Sequence, residues 1–130
     1  MNVGLVAHDG KMNLMQNLCI ASQDILKKHK LYATSTTGQM IEDVANLKIH
    51  KLLAGHFGGM QQMGSKISNN EIDLLIFLQD PANKKRTPDF YNVLNLCDQY
   101  NIPCATNLPT AEVLILALDR GDLDWRNMYK

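Results

Sequence analysis

The sequence predicts an α/β fold: a single three-layer, doubly wound domain over residues 1–130, with a five-stranded parallel sheet and helices on both faces. Short apolar runs alternate along the chain with longer segments whose apolar residues recur at helical spacing. Such alternation is typical of right-handed crossovers between parallel strands. No linker or repeat divides the 130 residues, which suffice for one domain with its own core.

Five apolar runs are the predicted strands. In chain order they are Val3–Ala7, Leu31–Thr34, Ile49–Leu53, Ile72–Leu78 and Ile102–Thr106. The fourth run, Ile-Asp-Leu-Leu-Ile-Phe-Leu, is the clearest and is typical of a strand covered on both faces. Proline cannot donate a hydrogen bond to a neighbouring strand, so Pro103 predicts an edge or near-edge position for the fifth.

Five helices are predicted between and after these strands. They are a continuous helix from Met12 to His29, one that follows Gly38 and contains Met40 to Ala45, one through Met63 and Ile67, one that starts at Pro88, and one over Ala111–Leu118. Proline is favoured in the first turn of a helix, where its missing N–H has no intrahelical partner.

The composition excludes several classes of function. The 13 acidic and 13 basic residues balance, so the chain has no excess charge for nucleic acid or an anionic membrane. We found neither an apolar stretch long enough to cross a bilayer nor a signal-peptide pattern at the start. The three cysteines are widely spaced and form no Cys-x-x-Cys motif, which favours reduced thiols in a cytoplasmic protein.

The segment Leu31-Tyr-Ala-Thr-Ser-Thr-Thr-Gly38 is the first candidate site. Backbone N–H groups at a helix start, together with four hydroxyl side chains, are suited to hold a phosphate. Serine and threonine also cap helices without any ligand. In open parallel sheets, ligands bind beyond the carboxyl ends of the strands, where this segment would lie beside the other strand-to-helix loops.

Six blocks of the chain together resemble methylglyoxal synthase. They are Leu5–Asp9, Leu31–Gly38, Gly55–Gly64, Ile72–Pro81, Pro88-Asp89 and Asn101–Asn107. The resemblance implies a parallel α/β domain that assembles as a homohexamer. It implies a lyase that eliminates phosphate from dihydroxyacetone phosphate to give methylglyoxal, with no metal and no cofactor. The expected partners are then dihydroxyacetone phosphate or inorganic phosphate.

The resemblance also implies roles for individual residues. Thr34, Thr36 and Thr37 correspond to the phosphate-binding threonines, and the backbone of Gly55 approaches the phosphate. The pocket is lined by His8 and Asp9, with further carboxylates from Asp80 and Asp89. Apart from the resemblance, Asp80 and Asp89 are as well explained by turn formation and helix capping, and His8 by a structural role.

The chain departs from the family pattern around the acid–base groups. Met60 stands where the family has its catalytic aspartate, and a thioether cannot accept a proton at neutral pH. His56 replaces a proline. Arg86 lies nearest the place of a missing histidine, and Lys11 lies one residue from the place of an expected lysine. These positions complete the candidate site.

Three hypotheses follow. The chain is a phospho-sugar lyase in which His56, Asp9 or Asp89 acts as base and Lys84, Lys85 or Arg86 supplies positive charge. Alternatively, it is a non-catalytic module that binds phosphate or a phosphorylated metabolite, or its loops bind no anion at all. In the C-terminal segment, Arg126 and Lys130 match poorly a basic position that closes over the phosphate, and an interface or a solvated tail explains them equally well.

Overall fold

The computed structural model describes residues 1–83 and 88–130, apart from the side chain of His56. The strands of its sheet are β1 (Asn2–Ala7), β2 (Lys30–Thr34), β3 (Ile49–Leu52), β4 (Leu74–Leu78) and β5 (Cys104–Ala105). The helices are α1 (Met12–Ala21), α2 (Gln23–Leu26), α3 (Ser35–Glu42), α4 (Gly59–Ser68), α5 (Pro88–Gln99) and α6 (Leu108–Asp119). Three short 3₁₀ segments cover Asp9–Lys11, Gly55–Phe57 and Asp124–Tyr129.

All strands of the sheet are parallel, in the order β3-β2-β1-β4-β5. The predicted fold class is therefore confirmed. Every residue of β4 is buried, as expected for a central strand with helices on both faces. Strand β5 lies at the edge and follows Pro103 directly, in agreement with the sequence prediction.

The two faces of the sheet carry separate hydrophobic cores. Alternate residues of β4 point to opposite faces, so that Leu74 and Ile76 join one core and Leu75 and Phe77 the other. Helices α1, α2, α3 and α6 cover the first face, and α4 and α5 cover the second. The reversal of the winding direction between β1 and β4 produces this division.

Two predicted helix boundaries were wrong. The helix expected from Met12 to His29 breaks at Ser22, where ψ is 15°. Serine is a weak former of helix interiors because its hydroxyl competes for backbone hydrogen bonds. The helix expected after Gly38 begins earlier, at Ser35. A Cβ atom at position 38 would lie 3.1 Å from Cγ2 of Ile49, so this glycine permits close helix–strand contact.

A buried ion pair closes the amino-terminal edge of the sheet. Nε of Arg126 donates to Asp73 Oδ1 over 3.1 Å, and both side chains are at least 96% buried. Asp73 Oδ2 accepts from the backbone N–H of Asn2 and from Lys130 Nζ, each over 2.8 Å. The suggestion that Arg126 and Lys130 close over a phosphate was therefore wrong, because Asp73 precedes β4, whereas the loops predicted to bind phosphate follow the strands.

The environment of Asp73 favours its charged form. Burial raises the pKa of this carboxyl group, but hydrogen bonds from Lys130, the Asn2 N–H and Arg126 outweigh burial and hold the pKa below its ordinary value. A carboxyl group with a lowered pKa in the folded state stabilises the fold above its unfolded pKa. That contribution disappears as the pH falls through the folded pKa.

Gly59 permits the loop after β3 to pack against the end of β2. A Cβ atom at this position would lie 2.0 Å from the carbonyl oxygen of Leu53 and 2.8 Å from Cγ2 of Thr34. The backbone oxygen cannot rotate away as a side chain would. By contrast, a Cβ atom at Gly55 would meet nothing within 4 Å.

No helix in residues 1–83 and 88–130 is long and apolar enough to cross a membrane.

Gly59→Ala is expected to lower the free energy of unfolding by about 1–3 kcal/mol, because the loop and β2 must separate to admit the methyl group. Urea denaturation followed by circular dichroism measures the change. Gly55→Ala is the matched control and should leave the midpoint within experimental error. Equal midpoints for the two variants would contradict the proposed contact.

Asp73→Asn is expected to destabilise the fold by about 3–5 kcal/mol near neutral pH, because it leaves Arg126 buried without its counter-charge. The wild-type protein should lose stability as the pH falls below about 4, near the pKa of an unfolded aspartate. The variant should lose less over the same range. Denaturation curves across this range test both statements. Asp122→Asn removes an exposed pair with Arg120 and should cost below about 1 kcal/mol.

Candidate functional site

Loops from separate strands surround a cavity of about 240 Å³ beyond the carboxyl ends of the strands. Its lining includes six residues predicted from the sequence, namely Asp9, Thr34, Thr36, Thr37, Gly55 and Met60. The lining is completed by Val6, Ala7, Met12 and Phe90. We refer to this space as the inner cavity. The parallel arrangement brings these residues together although they span much of the sequence.

The threonines of the inner cavity stand at the start of α3. Thr34 is the last residue of β2, and Thr36 and Thr37 lie in the first helical turn. Among the described contacts, the Thr34 side chain makes no hydrogen bond that caps the helix. The first N–H groups of a helix have no intrahelical acceptor and carry partial positive charge. These N–H groups are therefore suited to bind an anion.

The threonine hydroxyls interact only weakly with one another. Thr34 Oγ1 lies 3.4 Å from Thr37 Oγ1, longer than the usual 2.5–3.0 Å of a hydroxyl–oxygen hydrogen bond. Hydroxyl hydrogens rotate to suit their acceptors. An anion in the inner cavity would therefore compete successfully for these donors.

A second cavity, of about 500 Å³, adjoins the inner one. We refer to it as the outer cavity. The two share Gly55, Met60 and Phe90 in their linings, and the outer cavity adds Phe57, Gly58, Gln61 and Asp89. Asp89 lies in the first turn of α5, where a negative charge is also favoured by the helix dipole. Asp89 thus lies in the outer cavity, next to the inner cavity that contains the threonines.

His8 is buried next to the site and connects two of its loops. Its ring is buried, with centroids 4.7 Å from Phe90 and 5.5 Å from Phe77 in edge-to-face contacts. Nδ1 accepts a hydrogen bond of 2.8 Å from the backbone N–H of Asp80. A nitrogen that accepts a hydrogen bond carries no proton, so the ring is neutral with its proton on Nε2. His8 thereby joins the loop after β1 to the loop after β4.

Asp80 holds the turn after β4. Its Oδ1 accepts from the backbone N–H of Ala82 over 3.0 Å. A Cβ atom at Gly10 would lie 2.3 Å from Oδ2, so the carboxylate packs against the backbone of the loop after β1. This is the turn-forming use of aspartate that the Asp-Pro sequence suggests. Three predicted site residues are absent from the described lining of the inner and outer cavities: His8, Lys11 and Asp80.

Two predicted site positions fall outside what is described. They are Arg86, with its neighbours Lys84 and Lys85, and the side chain of His56. The backbone of His56 lies in the 3₁₀ turn Gly55–Phe57. The roles predicted for these residues stay predictions.

Phe90 is the residue that the sequence reasoning missed. It lines both the inner and the outer cavity and packs on the ring of His8. Sequence periodicity predicted only that it lies on an apolar side of α5. Its position next to Asp89 was the available signal, because residues in one helical turn at a strand's carboxyl end lie close to the ligand.

Among the described residues, no three His, Cys, Asp or Glu side chains are grouped closely enough to hold a metal ion.

Comparisons with known proteins agree with this arrangement. Residues 15–106 match the model of the MGS-like domain. The methylglyoxal synthase of Caldicellulosiruptor saccharolyticus is 53% identical, over 98% of this chain and 92% of that protein. The methylglyoxal synthase of Clostridioides difficile is 50% identical, over 100% of this chain and 96% of that protein.

A solved structure shows the same fold. The crystal structure of methylglyoxal synthase from Elizabethkingia anophelis matches with a TM-score of 0.80 and 33% identity, over 88% of this chain and 76% of that one. The sequence matches, the shared fold and the loops gathered at the carboxyl ends of the strands all agree. This chain belongs to the MGS-like domain family and is a homologue of the methylglyoxal synthases.

Proposed function

We propose that this protein is a methylglyoxal synthase-type lyase that binds dihydroxyacetone phosphate in the inner cavity and eliminates phosphate from it. The observation that carries the proposal is the union, in one cavity, of a helix start with three threonines and the carboxylate of Asp9. The relatives named methylglyoxal synthase support the same reaction class.

The size of the inner cavity favours a small substrate. Its volume of about 240 Å³ lies below the roughly 300–1,000 Å³ of sites for drug-sized ligands. A three-carbon phosphate ester suits this space. The phosphate would lie against the N-terminal turn of α3, and the carbon chain would extend toward Asp9 and Met60.

Asp9 is our choice for the base. It is the carboxylate among the described residues lining the inner cavity, whereas Asp89 lies in the outer one. Asp9 would take a proton from the hydroxymethyl carbon, and the electron pair would form an enediolate with the neighbouring carbonyl. A proton would then pass from the terminal hydroxyl group to the enediolate oxygen. As the terminal C=O forms, the carbon–oxygen bond to phosphate would break, and phosphate would leave with the bonding electron pair. The enol of methylglyoxal would remain and tautomerise to the product, and Asp9 would release its proton to solvent.

The remaining groups have supporting parts in this proposal. The threonine hydroxyls and the α3 N–H groups would stabilise charge on the departing phosphate. His8 and Asp80 would act as positioning residues, because the hydrogen bond between them joins the loop after β1, which carries Asp9, to the loop after β4. The basic residues Lys84, Lys85 and Arg86 remain the sequence-based candidates for charge at the enediolate oxygen.

One observation favours a second candidate function. Met60, which the family resemblance aligns with the catalytic aspartate, is 6% exposed and presents a thioether to both cavities. Loss of a positioned base costs about 10²–10⁴-fold in rate when nothing replaces it. The second candidate is therefore a module that binds phosphate or a phosphorylated metabolite and does not turn it over.

The assembly and location follow from the same resemblance. We infer a cytoplasmic homohexamer. Exposed apolar side chains on α1 and α6, among them Ile20, Val113 and Leu116, support a contact between subunits. Light scattering across a dilution series measures the assembly.

The three threonines of the inner cavity predict that inorganic phosphate stabilises the folded protein. At phosphate concentrations near 100 times the dissociation constant, the free energy of unfolding should rise by about 2.7 kcal/mol. Thr36→Val and Thr37→Val should each reduce this gain, because each removes a hydroxyl donor. Thermal melts with and without phosphate measure it.

Thr110→Val is the matched control for these melts. Thr110 donates to Asn107 at the start of α6, so its loss changes the basal stability but should preserve the gain from phosphate. An absent gain in the wild-type protein would favour the hypothesis that the loops are structural and bind no anion.

Turnover separates the two candidate functions. The purified protein is incubated with dihydroxyacetone phosphate, and methylglyoxal and free phosphate are assayed together. The lyase proposal expects equal amounts of both products above buffer, and a fall of about 10²–10⁴-fold in kcat for Asp9→Asn. His56→Ala tests a second of the three predicted bases in the same assay.

Met60→Asp serves as the diagnostic variant. Absent wild-type turnover, with activity restored by Met60→Asp and phosphate binding intact in both, would establish the binding module and reject the lyase. Unchanged kcat in both Asp9→Asn and His56→Ala would reject the proposed bases while leaving the reaction class in place.

A further inference from the structure

A third cavity, of about 620 Å³, lies at the opposite end of the sheet from the inner cavity. Three aromatic residues line it, Tyr100, Trp125 and Tyr129, together with Ser68, Asn69, Asn70, Asn101 and Arg126. We refer to it as the aromatic cavity. The five residues of β4 span roughly 17 Å, and this length separates the aromatic cavity from the inner cavity.

Two helices end side by side at this cavity. Asn70 follows α4 and Asn101 follows α5, and both have left-handed backbone conformations with φ of 57° and 55°. The N–H of Glu71 donates to the carbonyl of Lys66, and the N–H of Ile102 donates to that of Cys97. These are the bonds of glycine-type helix ends, with asparagine in place of glycine. The carbonyl ends of both helices therefore face the cavity region.

Arg126 fixes these two helix ends with respect to each other. Nη1 donates to the Asn101 carbonyl over 3.1 Å, and Nη2 donates to Asn70 Oδ1 over 2.6 Å and to the Ile72 carbonyl over 3.3 Å. With the bond from Nε to Asp73, four of the five guanidinium N–H groups have acceptors. The fifth, on Nη1, has no acceptor among the described residues, although the Arg126 side chain is 96% buried.

The aromatic rings form a preformed corner. The rings of Trp125 and Tyr129 lie 6.0 Å apart and nearly perpendicular, at 78°. The backbone carbonyl of Tyr129 accepts from Asn70 Nδ2 over 3.0 Å, so this segment is anchored to the end of α4. Yet the side chains of Trp125 and Tyr129 are 47% and 71% exposed. Large exposed rings on a fixed backbone offer faces for stacking at low entropic cost.

We propose that the aromatic cavity binds a small planar heteroaromatic molecule of the nucleobase class. The ring would stack on Tyr129, the more exposed of the two rings and next to Trp125, while its polar edge accepts a hydrogen bond from Arg126 and meets the amide groups around it. Stacking on aromatic side chains with hydrogen bonds to the ring edge is the general means of recognising such rings. The volume fits one small molecule, and the balanced charge of the chain gives no support for a nucleic-acid strand.

The tryptophan fluorescence of the protein reports on this cavity directly, because Trp125 is the only tryptophan. Adenosine is the probe. It carries no phosphate, so its binding cannot be confused with phosphate binding in the inner cavity. We expect a saturable change in Trp125 emission during titration of the full chain. Saturating inorganic phosphate should leave the midpoint unchanged, because the two sites lie at opposite ends of the sheet.

Tyr129→Ala tests the stacking contact at a side chain exposed enough for the fold to tolerate its loss. The midpoint for adenosine should rise by about tenfold, since one base–aromatic stack contributes about 1–3 kcal/mol. Tyr91→Ala is the matched control, an exposed tyrosine on α5 outside the lining of this cavity, and its midpoint should equal that of the wild type.

Three results would overturn the proposal: no saturable change in a folded protein, the same midpoint in Tyr129→Ala as in the wild type, or competition by inorganic phosphate. Trp125 emission that depends on protein concentration without adenosine would also overturn it, because a second copy of the chain would then cover the cavity. None of these results bears on turnover of dihydroxyacetone phosphate, so this proposal and the proposed function fail independently.

Discussion

The pairing of β1 with β4 sets the position of both cores and of the loops at the carboxyl ends of the strands. β1 pairs with β2 on one side and with β4 on the other, and the winding direction reverses at this boundary. The reversal opens a crevice at the carboxyl ends of the strands. Hydrogen bonds continue past the last strand residues, from the His8 N–H to Leu78 and from the Asp80 N–H to the His8 ring. The sheet itself thus fixes the loop that carries Asp9 and the position of the inner cavity.

The two ends of the sheet differ in the charge of the groups that lie there. At the carboxyl end, the first N–H groups of α3 have no acceptor within the helix and lie beside the inner cavity. At the amino end, helix carbonyls and a buried aspartate concentrate negative charge, and Arg126 neutralises it from the C-terminal segment. Asp73 stays charged in the interior because its partners outweigh the cost of burial. The C-terminal segment is consequently an integral part of the fold.

Much of the candidate site was accessible from sequence because the family blocks carry their own spacing. Thr34, Thr36, Thr37, Gly55 and Asp9 were predicted and line one cavity. The sequence did not predict that Asp89 lies in the outer cavity, or that His8 and Asp80 lie outside the lining of both cavities. These positions depend on side-chain directions across the crevice. The bond between Asp73 and Arg126 escaped prediction for a related reason. Its partners are 53 residues apart, and neither residue has a local pattern that points to the other.

The amino-acid sequence was enough to predict the fold class, five strands and their places along the chain, the edge or near-edge position of the strand with Pro103, and the family. Those features depend on local periodicity and on short motifs. The order of the strands in the sheet, the helix start at Ser35 and the break at Ser22 became visible only in the folded chain, as did the residues that share a cavity and the path of the C-terminal segment. These depend on packing between distant segments, such as the approach of Gly38 to Ile49 and of Gly59 to Leu53, and a linear pattern does not encode those distances.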